Sequence, residues 1–248
     1  MHYLTENLKI YVYAMPVLDS RMYIVLKDQH PEEALIVDPL ICDEALPVLR
    51  KLSSATILLT HSHYDHISGV NWLREQLDCR LICSEICAKK IASSHLNLSA
   101  YSAALIVGKS KDEQAQCMKF FDLDYSCQAD QTFPSETGFA FGSFQVEIIY
   151  TPGHSDCSQC IRLTPNNGVV EKPAPHAGDS QSDKNKLTPD IVFTGDSLIH
   201  GYSVITRLPG GSKKDYNTIT KPYLDSLPDD VLIMPGHGDW GKKGVMFP

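Results

Sequence analysis

Between Thr60 and Ile67 the chain reads His61-Ser62-His63-Tyr64-Asp65-His66, which puts four candidate metal ligands into six residues. In an extended or turning segment residues two apart point the same way, so His61 and His63 can grip one ion while Asp65 and His66 reach a second. Imidazole and carboxylate donors without thiolate suit zinc, with iron or manganese as substitutes. Zinc lowers the pKa of a bound water from about 15.7 to about 7, which makes a nucleophile at neutral pH without an activated serine. No G-x-S-x-G elbow occurs in the chain. The bland alternative is a histidine-rich solvated turn, and the position of the cluster between a strand-like and a helix-like run weighs against it.

The elements around the cluster follow from hydrophobic period. Ala55-Thr56-Ile57-Leu58-Leu59-Thr60 is a β-branched and apolar run of strand length, and Val70, Leu73 and Leu77 recur at helical spacing. The ligands therefore sit at the end of a buried strand, where α/β folds place their sites. Four ligands cannot complete two sites, and three more strand ends offer candidates. Residues 144–150 alternate as a half-buried strand and run into Thr151-Pro152-Gly153-His154; residues 190–194 stop at Gly195-Asp196; residues 231–234 stop at Pro235-Gly236-His237-Gly238. Each end pairs a glycine with a His or Asp, as expected where backbone must turn sharply and approach an ion. Further strands are predicted near 10–13, 22–26, 35–37, 80–82 and 160–163, with a helix capped by Asp43 that covers Leu46, Leu49 and Leu52. An N-terminal half to about Leu81 and a C-terminal half of similar logic would make two sheets flanked by helices.

The succession His61-x-His63-x-Asp65-His66, His154, Asp196, His237 resembles the metallo-β-lactamase-fold hydrolases, and Asp38 in Leu35-Ile36-Val37-Asp38-Pro39 matches the aspartate they carry after an early strand. Phe193-Thr194-Gly195-Asp196-Ser197-Leu198, Arg207-Leu208-Pro209-Gly210-Gly211-Ser212 and Pro235-Gly236-His237-Gly238 are most similar to the glyoxalase II (hydroxyacylglutathione hydrolase) branch. The resemblance implies an αββα sandwich with a two-metal centre in the groove between its halves. His61, His63 and His154 would hold one ion, Asp65, His66 and His237 the other, and Asp196 would bridge them. Asp38 would orient the ligand loop by hydrogen bonding without touching metal.

The implied reaction is attack of a hydroxide shared by the ions on the carbonyl carbon of a thioester or related small acyl substrate, with Asp65 taking the proton. His200 and Tyr202, just after Asp196, are substrate-side candidates that could donate to a developing oxyanion, set against a purely structural role; Arg207 is read as structural in its loop. Only eleven residues follow His237, where glyoxalase II carries a helical domain supplying glutathione contacts. A lactonase of the acyl-homoserine lactone type and a mononuclear-iron persulfide dioxygenase, which shares these residues but uses part of the ligand set, stand as alternatives. A non-enzymatic metal-binding module is the third, and the complete ligand set argues against it.

The 248 residues, 43% hydrophobic, are within the range of one large domain spanning 1–248. A formal charge of -8 suits polyanions poorly, so no nucleic-acid partner is expected. Without a basic-then-apolar leader or an apolar run approaching about 18 residues, the expected place is the cytoplasm, away from membrane. The positions of the eight cysteines do not read as a secreted disulfide framework. Cys157 and Cys160, spaced C-x-x-C, are expected to pack a turn; Cys79 and Cys83, flanking a strand, would not share a helical face with Cys87, and all three are read as packing residues. Gly236-x-Gly238-x-x-Gly241 fits a dinucleotide fingerprint by chance, since only seven residues follow it. Residues 93–130 form an insertion that either covers the groove with helices or completes the core as a helical hairpin. Residues 165–189 are polar and aperiodic, as in a flexible loop.

Overall fold

The computed structural model describes residues 2–4, 8–166 and 189–247, and its strands form two mixed sheets. The first runs, in spatial order, β1 (His2–Leu4), β2 (Lys9–Ala14), β3 (Arg21–Leu26), β4 (Glu33–Val37), β5 (Ser54–Leu58), β6 (Asp78–Ser84) and β7 (Gln131–Phe133). It is antiparallel up to β4 and parallel beyond. The second runs β8 (Thr137–Phe141), β9 (Phe144–Tyr150), β10 (Gln159–Pro165), β11 (Ile191–Gly195), β12 (Leu232–Pro235) and β13 (Gly241–Lys242), with β11 and β12 its one parallel pair.

Alternation within the strands decides what covers each face. Ile10, Val12, Tyr23, Val25, Leu35 and Val37 point into a cluster that also takes Val146, Ile148, Ile161 and Phe193 from the second sheet. Met22, Ile24, Ala34, Ile36 and Ile57 point the other way, against Leu49, Val70, Leu73 and Ile91 of α1 (Leu46–Leu49), α2 (Val70–Gln76) and α3 (Glu85–Ile91). On the far side of the second sheet, Cys160, Val192 and Ile233 meet Leu224, from α6 of the run α5 (Lys213–Asp215), π turn Tyr216–Thr220 and α6 (Lys221–Ser226). The helical numbering includes α4 (Lys111–Cys117) of the insertion and closes with α7 (Lys243–Met246). Three apolar interfaces make four layers, αββα, and each fully buried large side chain contributes roughly 1.5–3 kcal/mol to holding them. Tyr23 ties the sheets further, since its hydroxyl donates to Pro235 O at 2.6 Å.

Several local expectations are corrected. Asp43 does not cap a helix: it opens a 3-10 turn, Asp43–Ala45, and the cap position falls on Cys42, whose φ of −153° is extended and which makes no side-chain cap bond. The first sheet extends past Leu81 to Phe133, because β7 returns after the insertion to pair with β6. Cys79 and Cys83 lie within β6 rather than beside it. In the insertion a 3-10 run, Ser99–Ile106, precedes α4, which begins with a capping box between Ser110 and Glu113. Ile106, Phe121, Tyr125 and Cys127 are buried with Tyr64, so this segment completes the core. Cys157 and Cys160 are buried free thiols. Residues 167–188 of the polar loop lie outside the described residues. Among the described residues no helix is long and apolar enough to cross a membrane.

Candidate metal centre

Five strand ends meet at one edge of the sandwich: Asp38 follows β4, His61 to His66 follow β5, His154 follows β9, Asp196 follows β11 and His237 follows β12. Two of the turns need glycine. At Gly195 φ is +50°, and a Cβ there would stand 2.4 Å from Thr60 Oγ1. At Gly236 a Cβ would lie 2.4 Å from Asp196 Oδ1 and 2.8 Å from His66 Cε1, inside the cluster itself.

The structure brings all seven expected ligands together. Donor atoms of His61, His63 and His154 lie within 4.8 Å of one another, and those of Asp65, His66 and His237 do the same. His63 Nδ1 and His154 Nε2 are 3.0 Å apart, and His66 Nε2 and His237 Nε2 are 3.3 Å apart. Asp65 Oδ2 stands 3.4 Å from His66 Nε2 and 3.3 Å from His237 Nε2. Asp196 reaches both groups: Oδ1 is 3.3 Å from His66 Nε2 and 3.4 Å from His237 Nε2, and Oδ2 is 3.4 Å from His154 Nε2. His61, His63, His66 and His154 are all buried.

Hydrogen bonding fixes which ring nitrogens are free. His154 Nδ1 faces Ile205 O at 2.9 Å and His237 Nδ1 faces Leu18 O at 2.8 Å; a carbonyl can only accept, so both Nδ1 atoms carry hydrogen. His66 Nδ1 likewise donates to Asp38 Oδ2 at 3.0 Å. Thr60 gives its hydroxyl proton to Asp38 Oδ2 at 2.6 Å, so at 3.1 Å it can only accept from His61 Nδ1. In the neutral rings, lone pairs are therefore left on Nε2 of His61, His66, His154 and His237. His61 Nε2 is buried without a partner, and two such nitrogens face each other across 3.3 Å. Lone pairs at that separation repel unless a cation or proton lies between them. The donor set thus fits divalent metal, and the outer nitrogens of His61, His66, His154 and His237 are anchored as metal-binding histidines require.

The electrostatics point the same way. Burial drives the His63 imidazole down to about 3 and holds His61 and His154 below their ordinary value, so this group stays neutral. For His66 and His237 burial also lowers the pKa, but facing carboxylates of Asp65 and Asp196 outweigh it; His66 is pushed well up and His237 to about 10. Burial would raise Asp65 and Asp196, yet the His66 and His237 charges hold both well below the usual carboxylate range. Two half-buried carboxylates thus call for positive charge at this point, which protons supply when metal does not.

Supports that sequence reasoning missed surround the ligands. Ser20, fully buried, donates from Oγ to Asp65 Oδ2 at 2.7 Å. Tyr64, between two expected ligands, donates its backbone N–H to Asn97 O at 2.8 Å and its hydroxyl to Phe120 O at 3.0 Å, while Asp122 N donates to that hydroxyl at 2.9 Å. The insertion therefore grips the ligand loop through Tyr64. Its presence inside the metal motif was the one available signal. His200 and Tyr202 line a cavity of about 430 Å³ with Tyr216, Lys221 and Phe247 on the outer side of the second sheet. The His200 ring meets Phe247 edge-on at 5.7 Å, and Tyr202 is 77% exposed.

The profile of the Metallo-beta-lactamase superfamily matches residues 16–166, and the chain belongs to that superfamily. Its relatives include metallo-hydrolases: the probable metallo-hydrolase YqgX of Bacillus subtilis is 26% identical over 229 residues, 90% of this chain and 88% of that protein. A hydroxyacylglutathione hydrolase of Bdellovibrio bacteriovorus is 36% identical over 85 residues, 34% of each chain. Among solved structures, the BLEG-1 B3 metallo-beta-lactamase superposes with a TM-score of 0.66 at 23% identity, covering 94% of this chain and 93% of that one.

Proposed function

We propose that the protein is a hydrolase of thioesters or related small acyl compounds, working with two divalent ions, zinc foremost. The observation that carries this reading is the meeting of anchored lone pairs, with His66 Nε2 and His237 Nε2 3.3 Å apart and Asp196 turned to both groups. Bound ions would supply an acidified water as nucleophile and would polarise the acyl carbonyl. His61, His63 and His154 would hold the first ion and Asp65, His66 and His237 the second, with Asp196 between the two groups. Asp38 and Thr60 keep His61 and His66 in the tautomer that presents Nε2. Asp65 spends Oδ2 on Ser20, His66 and His237, which leaves Oδ1 to accept a proton from the attacking water. The choice of a thioester is supported by the hydroxyacylglutathione hydrolase among the relatives, and lactones are the next class to try.

The test is elemental analysis of protein purified without added metal, followed by hydrolysis assays on a hydroxyacyl-glutathione thioester and an acyl-homoserine lactone. About two ions per chain and thioester cleavage that falls by more than about 100-fold in Asp196→Asn and His63→Ala are expected, beyond the loss usual for a partner outside the ligand set. A single iron with oxygen uptake on a persulfide would overturn the reading.

A further inference from the structure

The two ligand groups are held by different parts of the chain. His154 leans on Ile205 O, in the loop after Asp196, and His61 on the neighbouring Thr60. The second group leans on the turn between β2 and β3. Leu18 O accepts from His237 Nδ1 at 2.8 Å, Ser20 Oγ donates to Asp65 Oδ2 at 2.7 Å, and Ser20 forms an antiparallel bridge with His237. The same turn interlocks with the loop carrying His237: Arg21 N donates to Gly236 O at 2.7 Å, Arg21 Nε to Gly238 O at 3.0 Å, and Gly238 N to Asp19 Oδ2 at 3.2 Å. Asp19 holds a left-handed φ of +58° to make the turn, a conformation that Asp tolerates better than most residues.

We infer that Ser20 is a positioning residue for the second metal half-site alone: its hydroxyl fixes the rotation of the Asp65 carboxylate, so that Oδ2 meets the space shared by His66 and His237. The inference rests on the two-ion reading above. An ionised carboxylate can only accept, so the Ser20 hydroxyl must be the donor, and at 2.7 Å it is a charge-assisted bond to a half-buried carboxylate. Without it, Asp65 Oδ2 would be left with the His66 and His237 imidazoles, whose positions it shares with Asp196. The contacts that residues 18–20 make with the cluster, among the described residues, fall on Asp65 and His237. The first half-site should accordingly be indifferent to Ser20.

The experiment is a zinc titration of metal-free protein against a chromophoric chelator, with Ser20→Ala placed in wild type and in two single-site backgrounds. His63→Ala cripples the first half-site and His237→Ala the second. Ser20→Ala should weaken the site left in His63→Ala by about 10–100-fold, the usual loss for an outer partner of a metal ligand, and leave that in His237→Ala within about threefold. Ser20→Gly, which removes the hydroxyl without adding a metal-binding atom, should behave as the alanine variant does and carries the test if that variant does not fold. Equal losses in both backgrounds would make Ser20 a general folding residue and overturn the inference, as would no loss in either, or a wild type that takes one ion only. A wild type that takes two ions but cleaves no acyl substrate would overturn the proposed function while the titration still decides this one.

Discussion

Asp38→Asn is the substitution on which the tautomer argument stands or falls, because it changes one atom and almost no volume. Asp38 is buried and accepts three hydrogen bonds: from Thr60 N at 2.7 Å on Oδ1, and from Thr60 Oγ1 at 2.6 Å and His66 Nδ1 at 3.0 Å on Oδ2. Asparagine has one accepting oxygen. If it serves Thr60 Oγ1 and His66, its NH2 is driven against the Thr60 N–H; if it serves that N–H, the NH2 opposes two donors. Even the better arrangement loses one charge-assisted bond, roughly 1.5–3 kcal/mol, and strands buried donors face to face for about 1–3 kcal/mol more. The sum is about 2.5–6 kcal/mol. Backbone strain does not enter, since Asp38 has φ of +51° and asparagine tolerates that region as well as aspartate does. Denaturant unfolding of the metal-free variants reads the loss without linkage to bound ions, and a melt should show a fall of roughly 5–24 °C for a chain this size. Zinc affinity should fall by about 10–100-fold in parallel, because His66 loses the acceptor that fixes its ring. An Asp38→Asn protein within about 1 kcal/mol of wild type would refute the assignment of hydrogens to His66 Nδ1 and Thr60 Oγ1, and with it the claim that Nε2 is the free atom.

Gly236→Ala should leave the fold standing and empty the site of metal capacity, since the new methyl would sit 2.4 Å from Asp196 Oδ1 and 2.8 Å from His66 Cε1; near-wild-type zinc uptake in that variant would contradict the close approach described for this turn. Metal uptake should release protons near pH 8, because His66 is raised and His237 is raised to about 10 in the metal-free protein, and a calorimetric series in buffers of different ionisation heat that finds none would refute it. For these two histidines the folded-state pKa lies above the unfolded value of about 6.5, so their stabilising effect is full below about 6.5 and lost as pH rises towards 10. The melting temperature of metal-free protein should therefore fall across that interval, and a flat or rising profile would count against the assignment.

Much of the architecture was readable in the sequence because buried strands carry continuous signals. Residues 144–150 alternate apolar and polar, and β9 has those bounds. The runs around Ile36, Ile57, Val192 and Ile233 are apolar enough to mark strands whose two faces are both covered. What escaped was short or at an edge. β7 and β13 span three and two residues, too few for any period to show, and Asp43 was mistaken for a cap because acidic residues also favour the first turn itself.

The site divides along a similar line, and the division has a physical cause. Ligands are legible because a metal demands particular side chains, and four of them share one short loop. The groups that hold those ligands in place obey no such code. Leu18 and Ile205 act through backbone carbonyls, which every residue possesses, so their side chains say nothing about the bond to His237 or His154. Ser20 acts through a side chain, but across 45 residues to Asp65, and a serine in a turn has many commoner reasons to be there. The role expected of Asp38 comes from a resemblance; by composition alone, an aspartate after a strand is one more turn residue. Its burial, with three donors converging on it, separates it from the others. Sequence therefore names the side chains that the proposed ions would touch, whereas the restraint on them resides in chain crossings, and the Asp65–His66–His237 group, fastened to a hairpin turn from the opposite end of the chain, is where removing one hydroxyl should loosen it.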